Sequence, residues 1–164
     1  MKEILLQYAA YNLWANQKLC DAIINLTEEQ QLQPVISSFS GIKNNLLHIW
    51  NAESIWWQRL KLNENVIGPG AVSEYSVKEL INNLSQQDKQ WVEWITNASP
   101  AAIDHVFAYQ NSKKEHFKQP VYQMLMHVFN HGTYHRGQIV TILRQLGIEK
   151  IPATDFIVWS RNRR

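Results

Sequence analysis

Three histidines, His127, His131 and His135, stand four residues apart in the stretch VYQMLMHVFNHGTYHRGQIVTILRQLG, from Val121 to Gly147. A four-residue step advances about 40° around an α-helix, so on a helix all three imidazoles lean to one side. Two imidazoles one turn apart on a rigid support can grip a single metal ion. The third cannot join them on a straight helix, because two turns separate positions 127 and 135 by about 12 Å. One adjacent pair must be chosen, and the remaining histidine then has a supporting or structural role.

A pair does not complete a metal site, and His48 is the natural third ligand. It lies in LLHIWNAESIWW among apolar residues that face an interior, where an unsatisfied imidazole costs about 1–3 kcal/mol. Glu53 is a poor fourth ligand, since five residues rotate it about 140° from His48. Three neutral imidazoles without a fourth protein ligand leave coordination positions open, as catalytic sites do. A metal held so can lower the pKa of bound water, stabilise a thiolate or polarise a carbonyl. Imidazole suits zinc, nickel, copper or iron, and a divalent zinc or nickel ion is the expectation here. Three further residues are expected in the pocket: Asn51 on the His48 side of its helix, Trp56 as a wall, and Gln138, about 20° from His131 on the helical wheel. No general base is evident beside the histidines. The opposing reading makes them core residues bonded to carbonyls, with no metal.

The elements that position these residues can be read in turn. Met124, Leu125, Val128, Ile139, Ile142 and Leu143 hold the stripe of the last long helix, between Pro120 at its start and Gly147 at its stop. Residues 3–25 predict a first helix on a stripe of Ile4, Leu5, Tyr8, Leu13, Trp14, Leu19, Ile23 and Ile24. Thr27–Gln30 has the pattern of a capping box and predicts a short helical turn. Ser40 is the expected N-cap of a helix over 41–62 that carries His48, and Ser76–Glu79 is a second capping box opening a helix to about 97, closed by Ser99-Pro100. Residues 105–118 lack a helical period and predict a small hairpin or extended arm, on which His105 and His116 stand apart from the site. Gly137, inside the last helix, costs about 1 kcal/mol relative to alanine and so suggests a closely packed neighbour.

Composition bounds the class. At 164 residues, 45% apolar and 18% charged, the chain is an ordinary globular one, read as one domain over 1–164. A net charge of +2 without a basic stripe gives no support to nucleic-acid binding. Arg161, Arg163 and Arg164 form a small solvated tail. The single cysteine, Cys20, excludes an internal disulfide, suits a reducing cytoplasm and reads as a packed thiol. Neither a signal peptide nor a membrane span is expected.

The segments quoted resemble the DinB/YfiT-like family of metal-binding proteins. HGTYHRGQIVTILRQLG at 131–147 is similar to the family's His-x-x-x-His-Arg-Gly-Gln signature. YNLWANQKL at 11–19, LLHIWNAESIWWQRL at 46–60 and PATDF at 152–156 match it in order and spacing. The resemblance implies an all-α, up-down-down-up four-helix bundle with His48, His131 and His135 as metal ligands and His127 outside the triad. It also implies Arg136 in a structural ion pair and a homodimer formed through helix faces, to which the apolar Phe156–Trp159 can contribute.

The leading expectation is therefore a metal-dependent enzyme acting on a small molecule, in which the ion activates a low-molecular-weight thiol for transfer to an electrophile. Metal-assisted hydrolysis is its close variant, and a non-catalytic metal-binding stress-response protein is the alternative from another class.

Overall fold

The computed structural model describes residues 1–161, so Arg163 and Arg164 of the basic tail lie outside it. Among the described residues seven helices and two strands follow one another: α1 Lys2–Ile23, α2 Glu28–Leu32, α3 Gly41–Leu60, α4 Val77–Asn97, α5 Pro100–Asp104, β1 Val106–Gln110, β2 His116–Pro120, α6 Val121–Gln145 and α7 Phe156–Arg161, with a 3-10 turn at Pro69–Ala71 between α3 and α4. The chain is mostly helical with one small sheet. No described helix is long and apolar enough to cross a membrane.

Local chemistry sets the boundaries. Both predicted capping boxes form, Thr27 with Gln30 and Ser76 with Glu79, each side chain meeting the other's backbone N–H. Ser40 stands at the N-cap of α3, but its side chain bonds no cap amide. Gly41 takes a φ of +75°, and a Cβ there would stand 2.6 Å from the Gln33 carbonyl oxygen, so only glycine fits this entry to α3. Ser99 does more than close α4: it caps the short α5, with Pro100 in its first turn. The stretch over 105–118 is a hairpin, β1 pairing antiparallel with β2 from Val106↔Pro120 to Gln110↔His116. The C-terminal segment folds as α7. Its Trp159 is buried edge-on against Tyr11, whose hydroxyl donates to the Thr154 carbonyl at 2.8 Å.

Helix α1 packs against α4 and α6, and α3 packs against the same two. The buried face of α1 is Leu5, Ala9, Asn12, Asn16, Leu19 and Ile23, while Ile4 and Ile24 of the sequence-read stripe face solvent. Two apolar clusters divide the interior. One gathers Leu5, Trp91, Ile95, Met124 and Phe129, with Trp56 and Leu60 packed on it. The other gathers Leu19, Ile42, Leu46, Leu80, Ile139 and Ile142.

Between the clusters lies a polar layer. Arg136, 2% exposed, donates from Nη1 to the side-chain oxygens of Asn12 (2.6 Å) and Asn16 (2.9 Å), and from Nη2 to Thr133 Oγ1 (2.8 Å). Asn12 Nδ2 in turn donates to Glu53 Oε1 at 3.0 Å and Asp88 Oδ1 at 2.8 Å, Asn16 Nδ2 to both Asp88 oxygens, and Trp91 Nε1 to Glu53 Oε2 at 3.1 Å. Arg136 thus meets its carboxylates through bridging amides. Burial and then the charge of Asp88 push Glu53 well above the usual carboxylate range, and burial raises Asp88 to about 7 against the opposing hydrogen bonds of Asn16 and the charge of Arg136. Cys20 is buried at the margin of this layer, its thiol pushed up to about 12 by burial first and by Asp88 second, as an inert packed group.

The glycine that packing demands is Gly132, not Gly137. A Cβ on Gly132 would come within 2.9 Å of Asn12 Oδ1 and 3.0 Å of Arg136 Nη1, whereas one on Gly137 meets nothing within 4 Å. Gly137→Ala should therefore raise unfolding stability by about 0.5–1 kcal/mol through helix propensity alone. Gly132→Ala should lower it by about 1 kcal/mol or more by wedging the polar layer apart. Urea unfolding of the two variants compares them directly, and equal effects would contradict the packing assignment.

Candidate metal centre

His131 and His135 leave α6 toward α3, and His48 meets them from α3. The three are grouped so that one ring nitrogen from each lies within 4.8 Å of the others. Nε2 of His131 is 3.1 Å from Nε2 of His48 and 3.0 Å from Nε2 of His135. Two nitrogens held about 2.0–2.1 Å from one ion, at angles between roughly 90° and 110°, stand about 2.8–3.4 Å apart, so the spacing fits. His135 is buried and the other two are half-buried.

Protons satisfy this arrangement less well than a cation does. Nδ1 of His135 faces Gln138 Oε1 at 2.7 Å, a contact that needs the proton on Nδ1 and leaves Nε2 with a lone pair. His131 Nε2 then cannot both donate to His135 and accept from His48. Protons offer at most one N–H of His131 shared between the other two nitrogens, whereas a cation among the three meets all three lone pairs. Burial first, and the neighbouring His135 second, lower His48 to about 4, while His131 falls to about 4 through burial and then His135, His48 and His127. His135 is lowered by burial against the raising effect of its Gln138 bond. The rings are neutral at physiological pH, the state that binds metal.

The loop before α3 braces the centre. Phe39 stacks on His48 with centroids 3.8 Å apart and planes 20° from parallel, and stands edge-on to His135 at 5.6 Å. Asn45, fully buried on α3, donates to the Phe39 carbonyl at 2.6 Å and to the Gly41 carbonyl at 2.8 Å, and Ser37 also bonds the Phe39 carbonyl. Ser38 accepts from Gln138 Nε2 at 2.8 Å, which completes a relay from the loop to the ring of His135. Neither Ser38 nor Phe39 stood out in the sequence, where the only signal was a lone aromatic among serines just before the His48 helix.

Gln138 therefore sits behind His135, at the far side of the ring from its Nε2. Asn51 accepts from the Gly70 amide at 3.3 Å and holds the loop after α3. Together with Phe39, Leu47 and Ile55 it lines a cleft of about 570 Å³ that opens beside His48. Trp56 lies edge-on to His127 at 5.4 Å and to Tyr109 at 5.0 Å, one turn beyond the three histidines. His127 is outside the group. Glu53 belongs to the polar layer, and His116 and His105 are exposed around the hairpin.

A sequence model described as the DinB family matches residues 1–163. Protein DinB of Bacillus subtilis (strain 168) is 27% identical over 165 residues, spanning 95% of this chain and 93% of that protein. The crystal structure of a DinB-like protein from Bacillus cereus superposes with a TM-score of 0.72, covering 92% of this chain and 95% of that one at 21% identity, a likeness of fold.

Two outcomes follow from this geometry. Gln138→Leu removes the acceptor that fixes the His135 tautomer and should weaken zinc binding about 10–100-fold in a competition titration, with helicity unchanged. In metal-free protein, unfolded histidines take up protons near 6.5 while folded His48 and His131 do so only near 4. The stability of keeping them neutral is present above 6.5 and is lost as pH falls toward 4. His131→Gln should flatten the wild-type loss over that window in chemical denaturation, and an unchanged slope would contradict the assignment.

Proposed function

The chain belongs to the DinB family, and on that premise we propose that it is a metal-dependent enzyme whose divalent ion, zinc or nickel, is held by His48, His131 and His135. The observation that carries this reading is the convergence of three neutral imidazoles whose Nε2 atoms stand 3.0–3.1 Å apart, the spacing of nitrogens around one ion. The cosubstrate is a low-molecular-weight thiol and the acceptor a small electrophile. Bound among these imidazoles, the ion supplies the positive charge that keeps a thiol sulfur deprotonated at neutral pH. The chain's own residues fix the rings: Phe39 packs His48 in place, Gln138 orients His135, and the cleft bordered by Asn51 and Ile55 admits the reactants. Sulfur then bonds to the electrophilic carbon as that carbon loses its leaving group, and the thiol proton passes to solvent.

Transfer is favoured over hydrolysis by where the acids lie. Glu53 and Asp88 are locked in the polar layer with Asn12, Asn16 and Trp91, and the histidine group includes no carboxylate to serve as base for water. An open cleft beside His48 speaks against a closed, non-catalytic metal store.

The same reading takes residues 1–164 as one domain and the four long helices as an up-down-down-up bundle. The clusters support that order: one gathers the N-terminal ends of α1 and α6 with the C-terminal end of α4, and the other gathers their opposite ends with the start of α3. It places the protein in the cytoplasm as a homodimer, with Phe156 and Ile157, 43 and 54% exposed, offering an apolar face.

Metal content tests the reading after purification without chelator or nickel resin. Near-stoichiometric metal is expected in wild type and in His127→Ala, and none in His48→Ala, His131→Ala or His135→Ala. A wild type that neither carries metal nor takes up added zinc or nickel would overturn it.

A further inference from the structure

Arg59 is a half-buried cation of α3 that the metal site and the polar layer leave unused. Eleven residues from His48 amount to about 20° around the helix and about 16 Å along it, so Arg59 projects from the same face, three turns on. Ala52 and Ile55 fall on that face between them. Ile55 lines both the cleft beside His48 and a second cleft of about 490 Å³, which Arg59, Tyr109 and Ala108 also line. The two spaces share Ile55 as a wall, with His48 lining the first and Arg59 the second.

The guanidinium is held in an orientation that leaves it free to bind. Its centre lies 4.5 Å from the Trp56 ring and 5.2 Å from the Tyr109 ring. Tyr109 is itself anchored by its hydroxyl, which donates to Gln119 at 2.7 Å, and Trp56 by its edge contact with His127. Arg59 Nε is buried without a hydrogen-bond partner, and no described residue forms an ion pair with it. Glu64 lines the same cleft but stays exposed and unpaired with Arg59. A half-buried cation with its faces on aromatic rings and with no hydrogen-bond partner among the described residues at its two Nη groups, which unlike Nε are not buried, is arranged for a carboxylate that those Nη groups meet end-on.

We propose that Arg59 binds a carboxylate on the substrate or thiol cosubstrate whose other end lies at the three-histidine centre, so that the two clefts select elongated anionic small molecules. This rests on the metal reading above and deepens it.

The test measures binding and does not depend on which reaction is catalysed. Suberic acid monohydroxamate carries a metal-binding hydroxamate and a carboxylate separated by a methylene chain, and its methyl ester lacks only the charge. Zinc stoichiometry is determined first, and both compounds are then titrated calorimetrically into zinc-loaded wild type, Arg59→Gln and Arg59→Lys. The acid should bind wild type about tenfold more tightly than the ester. Arg59→Gln should abolish that preference while leaving ester binding and zinc content unchanged, and Arg59→Lys should keep part of it. Equal affinity of acid and ester for wild type, a preference surviving in Arg59→Gln, or no binding of either compound overturns the inference and leaves the metal reading standing. Protein that takes up no zinc overturns both. A purely structural clamp would show itself as a lower melting temperature in Arg59→Gln with the acid preference intact.

Discussion

Burying one guanidinium constrains almost everything else in this protein. Arg136 lies in an interior where an unpaired charge costs many kcal/mol, and its terminal nitrogens are held there by Asn12 and Asn16 from α1 and by Thr133, with Asp88 from α4 and Glu53 from α3 joined through the asparagines. Each long helix contributes to that layer, so each has its rotation and height fixed by it. The consequence for the metal centre is geometric. On α6 the sequence step from His131 to Arg136 is five residues, and on α3 the step from His48 to Glu53 is also five. Both steps turn about 140°, so directing Arg136 and Glu53 into the polar layer directs His131 and His48 toward each other at the seam between α3 and α6.

Rigidity behind the histidines and openness in front of them then divide along that seam. Behind, two apolar clusters enclose the polar layer, and Gly132 lets Asn12 and Arg136 approach the helix backbone. In front, the rings are braced by a loop rather than by a helix: Phe39 stacks on His48 and Ser38 bonds Gln138, which in turn fixes His135. That loop owes its course to Gly41 and Asn45, residues with no contact to the histidines themselves. The cleft that Ile55 and Arg59 line borrows a wall from the hairpin through Tyr109.

Much of this was legible before any coordinates. The capping boxes at Thr27 and Ser76, the hairpin over 105–118 and the helical phase of His48 against Glu53 all rest on local rules, and the helices obey them. What escaped was long-range. Asn12 and Asn16 look like solvent-facing residues when α1 is read alone, and reading them as polar shifted the apparent stripe toward Ile4 and Ile24, which face water. Gly137 drew attention because it stands inside a signature, yet the space around it is empty and the demanding glycine is Gly132. Gln138 is expected in the pocket from its angle beside His131, but that angle says nothing about Ser38 and the Nδ1 edge of His135, which take up both ends of its amide. The part played by Phe39 depends on a loop path that no periodicity encodes.

The account stands on a single cation-sized meeting point of three imidazoles from two helices. X-ray absorption fine structure at the zinc edge of zinc-loaded wild type examines that point without reference to any reaction. Three imidazole shells at about 2.0–2.1 Å, completed only by light atoms of solvent, are the predicted result. Two imidazoles, four imidazoles or a sulfur ligand from Cys20 would contradict it.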